Sequence, residues 1–172
     1  AALAGDKRAF TEIMRRHKNA VYCLVGRYVG DADESYDLVQ ETFVAAWGAL
    51  SGFDQSKPLP AWLRRIALNK CRDWARRRRV RAFFTRAAPL EDAFDVSDDT
   101  VPADVQAADR AELARVTAAM ARLPARLREA LVLRTVDGLT QAETAEVLSV
   151  SEKTVETRLY RARAKLKAQL GD

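Results

Sequence analysis

The C-terminal stretch of this chain carries the side chains best suited to reading a polyanion. At about 100° per residue, Val155, Leu159, Ala162 and Leu166 fall in one narrow apolar stripe. That leaves Lys153, Thr157, Tyr160 and Arg161 facing away, with Glu156, Arg158, Arg163 and Lys165 toward the flanks. Long donors, a hydroxyl, an aromatic and a carboxylate are the groups that read base edges in a major groove, and flanking Arg and Lys suit phosphates. A charge run alone would be no more than the solvated face of a bundle helix. Its setting tells against that: Thr140-Gln141-Ala142-Glu143 is a T-x-x-E capping box, Ser149-Val150-Ser151 is a short turn, and Ser151 can cap the basic helix. Two helices, a tight turn and a basic second helix are the layout of a helix-turn-helix.

A second polyanion candidate lies at 57–86, where Lys57, Arg64, Arg65, Lys70, Arg72, Arg76, Arg77, Arg78, Arg79, Arg81 and Arg86 meet only Asp73. Arg64, Arg65 and Arg72 lie off an apolar stripe made by Leu59, Trp62, Leu63, Ile66 and Trp74. Cations beside aromatics hold and stack unpaired bases in single-strand binders. Trp62 and Trp74 go to the core on this reading; Phe53, in a loop with Gly52, Pro58 and Pro60, is open between core and stacking platform. Asp73 is spaced for an ion pair with Arg77 at i+4.

Acidic residues form a third set. Asp33, Glu34, Asp37 and Glu41 crowd the first turns of a helix, where they suit its positive end. They lack a partner His or Lys and any metal-ligand spacing, so a docking face accounts for them better than catalysis. A lone His17 and two cysteines, Cys23 and Cys71, argue against a metal centre or a disulfide framework. Neither enzymatic activity nor a cofactor is expected.

The elements that position these residues are helical almost throughout. The chain has 172 residues, 48% hydrophobic and 31% charged, with net charge +5, and no run worth calling a strand. Asp6 can cap a first helix with Phe10, Ile13, Met14, Val21, Leu24 and Val25 at its apolar positions, broken by Gly30 and Asp31. A second is predicted over 33–50, with Leu38, Phe43, Ala46, Trp47 and Leu50 inward, and a third from the proline loop to about Arg79. Periodicity then fades, with a helical turn at most around 81–86. The acids Glu91, Asp92, Asp95, Asp98, Asp99, Asp104, Asp109 and Glu112 face a single Arg110. A long structureless stretch inside one compact domain is unusual, so a boundary belongs here. The expectation is all-α: domains at 1–79 and 109–172, held apart by a mobile acidic linker at 80–108. In the second domain Leu113, Val116, Met120 and Leu123 share one register, Pro124 separates them from Leu127, Ala130, Leu131 and Val136, and Asp137-Gly138 ends that helix. No apolar run approaches a membrane span and 1–25 shows no signal-peptide pattern, so a reduced, cytoplasmic protein without direct membrane insertion is expected.

Two motifs in one order then resemble a known family. Asp37-Leu38-Val39-Gln40-Glu41-Thr42-Phe43 followed by Trp47, then Trp62-Leu63-Arg64-Arg65-Ile66-Ala67 with Asn69 and Asp73, resembles region 2 of bacterial sigma factors. Leu123-Pro124 through Arg128-Glu129, Gly138-Leu139-Thr140, and Thr154-Val155 through Arg158-Leu159-Tyr160-Arg161-Ala162-Arg163 resembles region 4. With no room for region 3, the chain is similar to the extracytoplasmic-function (ECF) group of the sigma-70 family.

The resemblance implies a transcription initiation factor that docks on core RNA polymerase and recognises promoter DNA. Region 2 would melt and capture the −10 element through Phe53, Arg64, Arg65, Asn69, Arg72 and Arg76. Region 4 would read the −35 duplex through Lys153, Thr154, Glu156, Thr157, Arg158, Tyr160 and Arg161. Asp37, Gln40 and Glu41 would dock on the β′ clamp, region 4 would meet the β flap, and an anti-sigma factor would hold the protein inactive. Three positions depart from the family pattern: Thr144 where an aliphatic is usual, Ser149 where the turn usually has Gly, and Glu156 where a basic or polar residue is common. A sigma mimic that sequesters an anti-sigma factor would, by family analogy, carry a receiver domain and lack the basic face. A simple helix-turn-helix regulator would leave 1–79 without a role.

Overall fold

The structure, a computed structural model, describes residues 3, 5–85, 103–135 and 137–171, with the side chains at 82–85 and 103–110 excluded. The described residues form seven α-helices and a 3-10 turn. Asp6, in extended backbone, starts α1 (Lys7–Val29) by accepting the N–H groups of Arg8 and Ala9 at 2.9 and 3.3 Å. Gly30 ends it at φ 81°, a left-handed cap that a side chain would strain. Asp31 then caps α2 (Ala32–Ala49) by accepting from Glu34 N–H at 2.8 Å, which starts this helix one residue before the predicted Asp33. The 3-10 turn Leu50–Gly52 and a loop lead to α3 (Leu59–Thr85).

The helix α3 continues past Arg79 to Thr85, and α4 (Ala103–Ala121) begins inside the predicted linker. Arginine and alanine are strong helix formers and need no buried stripe to extend a helix already nucleated. The rest of the acidic stretch, and Val136, lie outside the described residues. Pro124 separates α4 from α5 (Ala125–Thr135), Gly138 turns the chain at φ 63°, and α6 (Gln141–Leu148) and α7 (Glu152–Leu170) complete the fold.

Two groups of side chains make the core. Leu24, Val25, Tyr28, Leu38, Phe43, Ala46, Leu63, Ala67 and Leu68 close the space between α1, α2 and α3. Trp74 is buried with them, its Nε1–H donating to Glu34 at 2.8 Å. Leu123, Ala130, Leu133, Val147, Val155, Leu159 and Ala162 do the same for the C-terminal helices. Each fully buried leucine stabilises the fold by about 1.5–3 kcal/mol. Met14, expected on the apolar face of α1, is instead exposed.

The two groups do not stand apart as expected. Helix α5 packs on α1, and α6 packs on α3. Arg64 and Arg72 of α3 meet the carboxylates of Asp137, in the turn after α5, and Glu129 of α5, an attraction between distant segments that local periodicity does not reveal.

The cysteines provide a probe of this packing. Cys71 is fully buried, and burial pushes its thiol up to about 12, whereas Cys23 is exposed. Iodoacetamide at neutral pH is expected to modify Cys23 alone in the native protein, and both residues in denaturant. Equal native rates, measured by mass spectrometry of the two peptides, would contradict the packing of α3.

Candidate nucleic-acid interface and docking surface

Helix α7 is oriented as its stripe predicts. Val155 and Ala162 are wholly buried against the neighbouring helices, while Lys153, Glu156, Tyr160 and Arg161 are exposed, Tyr160 at 75%. Thr154 is half-buried in the helix cap, its N–H donating to Ser151 Oγ at 3.2 Å. The Thr157 hydroxyl donates to the Lys153 carbonyl at 2.9 Å and keeps its own acceptor lone pairs. Lys153 reaches Glu156 at 2.9 Å, an exposed pair worth about 0–1 kcal/mol that a phosphate can displace. Arg158 is half-buried and lines a shallow groove with Lys153, Thr154, Thr157 and Arg161. The far wall of that groove is Arg126 and Leu127 of α5. Arg126 escaped the sequence reading because it is one basic residue on a different helix.

The approach to α7 is firmly built. Thr140 Oγ1 accepts the Glu143 N–H at 3.2 Å, and the Glu143 carboxylate accepts the Thr140 N–H at 2.7 Å, the complete capping box. The hydrogen bond from the Thr140 backbone, then that from its hydroxyl, hold the Glu143 carboxyl below its usual range. A depressed carboxylate contributes stability that is present above its unfolded pKa and lost as pH falls through the folded one. Thr144 is fully buried, and its hydroxyl donates to the Thr140 carbonyl at 2.8 Å, so this departure leaves no unpaired polar group. Ser149 sits at φ 54°, ψ 50°, the one non-glycine at positive φ among the described residues. Ser149→Gly is expected to raise stability by about 0.5–1 kcal/mol by relieving that conformation. A higher urea midpoint at unchanged slope would show it; an unchanged midpoint would mean the serine is unstrained.

The basic face of α3 is engaged rather than open. Arg64 Nε lies 2.7 Å from Asp137 Oδ2, with the two side chains 15% and 3% exposed. Burial raises the Asp137 carboxyl against the opposing pull of Arg64. Arg65 donates to the Glu146 carbonyl at 2.6 Å. Arg72 makes a two-pronged bond to Glu129, both contacts at 2.7 Å, and donates to Asn69 Oδ1 at 2.9 Å. Arg76 is exposed and pairs with Asp73 at i+3, 2.9 Å. The predicted Asp73–Arg77 pair is therefore replaced, since Arg77 turns to Glu41 at 3.9 Å. Phe53 is half-buried with its ring 4.9 Å from that of Trp62, at the core's edge.

The acidic set on α2 is brought together. Asp37 and Gln40 are exposed, and Glu41 is held by Lys70 at 3.3 Å. With Val44 and Ala45 they line a shallow depression, and Val44 is 73% exposed. Val44 escaped the sequence reading; the signal that could have found it is an apolar residue off the buried stripe of α2, here beside Asp37, Glu41 and Lys70. Among the described residues no helix is long and apolar enough to cross a membrane.

This geometry has counterparts. Residues 13–81 match the family model for sigma-70 region 2, and residues 113–166 match that for sigma-70 region 4. The chain is 44% identical to the RNA polymerase sigma factor CnrH of Cupriavidus metallidurans over 98% of its own length and 90% of that protein. It is 35% identical to the ECF RNA polymerase sigma factor SigM of Mycobacterium tuberculosis, over 99% of this chain and 82% of SigM. Among solved structures, CnrH in complex with the cytosolic domain of CnrY superposes with TM-score 0.71 at 38% identity, covering 99% of this chain and 92% of that one. The order of the two regions, the capped helix-turn-helix and the likeness along nearly the whole chain agree: this protein belongs to the ECF group of the sigma-70 family of RNA polymerase sigma factors.

Proposed function

We propose that this protein is a promoter-specificity subunit: it binds core RNA polymerase and directs it to promoters by recognising −10 and −35 elements. The observation that carries this is the pair of sigma regions in order, with the polar face of α7 open behind a fully capped turn. Residues 1–79 act as region 2, 109–172 as region 4, and 80–108 connect them. The −35 duplex is read from Lys153, Glu156, Thr157, Tyr160 and Arg161, while Arg126 and Arg158 hold phosphate and Thr154 contributes from the cap. Phe53, Asn69 and Arg76 serve the −10 strand together with Arg64, Arg65 and Arg72. Asp37, Gln40 and Glu41 dock on the β′ clamp around Val44, and region 4 meets the β flap.

CnrH was solved with the cytosolic domain of CnrY, and a sigma factor of like fold from Bartonella quintana, 23% identical with TM-score 0.76, with the anti-sigma factor NepR. An anti-sigma partner for this chain is part of the same proposal. Work on DNA with polymerase places the protein in the cytoplasm. The role asks for no catalytic group or cofactor of its own.

The test is co-elution with core polymerase followed by binding of promoter duplexes carrying single-base changes in the −35 element. Arg161→Ala is expected to lose about 1–3 kcal/mol of discrimination at one position, and Arg126→Ala to weaken all sequences alike. A chain that co-elutes but binds every duplex equally, before and after Arg161→Ala, would overturn the −35 assignment.

A further inference from the structure

Glu156 is the one carboxylate among the side chains assigned to duplex DNA, and the helix itself does not account for it. Glu152, in the first turn of α7, favours the positive end of that helix; Glu156 lies a turn further on, where the field of that end has faded. Its ion-pair partner is Lys153 on the preceding turn, Nζ to Oε2 2.9 Å, with the Lys153 and Glu156 side chains 81% and 57% exposed. We propose that Lys153 and Glu156 together read a single C·G base pair of the −35 element, the carboxylate taking the cytosine and the ammonium the guanine opposite. The proposal rests on the −35 reading above.

The chemistry of the groove selects the base. A carboxylate only accepts hydrogen bonds, and a phosphate offers it nothing but repulsion. Its donors in the major groove are the amino groups of cytosine, N4, and adenine, N6, whereas guanine and thymine present acceptors and no donor there. Adenine sets its N7 acceptor beside N6, against the second carboxylate oxygen; cytosine sets a C–H in the corresponding place. Cytosine is therefore the better match. The guanine opposite presents O6 and N7, both acceptors, which is what an ammonium requires. A C·G pair shows a donor and acceptors side by side, and Glu156 with Lys153 shows the complement.

The placement on α7 (Glu152–Leu170) agrees with this role. Both residues lie in its N-terminal part, and a recognition helix meets base edges with its N-terminal residues. Viewed down the axis, Lys153 and Glu156 are about 60° apart. Arg158 and Arg161 lie on the other side of Lys153, where with Arg126 they line the shallow groove that Glu156 does not join. The phosphate-holding cations are thus separated from the carboxylate, which keeps it clear of the backbone. Lys153 also offsets the negative charge of Glu156 as the helix approaches a polyanion. An exposed pair of this kind contributes little to the fold, so exchanging it for the edge of a base pair costs little.

The experiment assembles the full chain with core polymerase and selects from a pool of random-sequence duplexes long enough to hold both elements, read by sequencing. The wild type is expected to enrich a −35 block with one C·G position that Glu156→Ala and Lys153→Ala both relax, discrimination there falling about tenfold or more. Glu156→Gln is expected to move the preference at that position toward A·T, because an amide pairs with adenine N6 and N7. Arg161→Ala is expected to relax a different position. Loss of affinity that is equal for every sequence, or no change at all, would make the pair a surface ion pair of the helix and overturn the proposal. Two different positions relaxed by the two alanine variants, or a shared position that is not C·G, would overturn it as well. A wild type that enriches a −10 block and no upstream block would show that the −35 reading has failed, and the assignment of the pair with it.

Discussion

The joint Asp37→Lys and Glu41→Lys variant is expected to remain helical by circular dichroism and to lose co-elution with core polymerase. Asp37 is exposed, and Glu41 holds only exposed or half-exposed cations, Lys70 at 3.3 Å and Arg77 at 3.9 Å. Surface pairs of this kind contribute about 0–1 kcal/mol each, so the fold survives their reversal. Docking does not, because two attractions to a basic partner become two repulsions. Like charges brought together at an interface cost several kcal/mol, which is roughly a hundredfold or more in Kd. Affinity of the full chain for −35 duplex should not fall, since α7 lies elsewhere. Retained co-elution would reduce these acids to favouring the positive end of α2, worth about 0.3–1 kcal/mol each.

Features with local causes were legible in the sequence. Asp6, Thr140 with Glu143, and Ser151 all cap as their types and spacing require, because a cap is settled within four residues. The stripe on α7 was legible for the same reason, its period being that of the helix itself. What escaped depends on partners far along the chain. Glu129 read only as part of a family motif, and its burial follows from Arg72, which belongs to another helix. Asp137 read as a helix stop, yet its carboxylate is half of an ion pair with Arg64. Arg126 joins the α7 groove only because α5 packs beside it. The pairing of Asp73 with Arg76 rather than Arg77 shows a smaller version of the same effect, since Glu41 of α2 draws Arg77 away.

Adjacent residues on α7 should separate scaffold from contact. Leu159→Ala is expected to destabilise the fold by about 2–5 kcal/mol, because Leu159 is 7% exposed in the small core shared by α5, α6 and α7. Tyr160→Ala, one position on, should stay within about 0.5 kcal/mol of wild type, because the ring is 75% exposed. Its effect should appear in −35 binding instead. Chemical denaturation of the two variants, paired with duplex binding under native conditions, makes the comparison. Comparable destabilisation by both would mean that α7 is rotated from the orientation described, and that the groove lined by Arg126 and Arg161 is not the outward face.

The central claim, promoter-directed initiation, is tested most directly by transcription from fragmented genomic DNA of the source bacterium. Core polymerase alone and core with this protein are compared by mapping the 5′ ends of the transcripts. The account predicts discrete new start sites that appear only with the protein and share sequence blocks upstream at −10 and −35. It also predicts that these starts disappear with the Asp37→Lys and Glu41→Lys variant. A protein that binds core polymerase yet leaves the pattern of 5′ ends identical to that of core alone would contradict it.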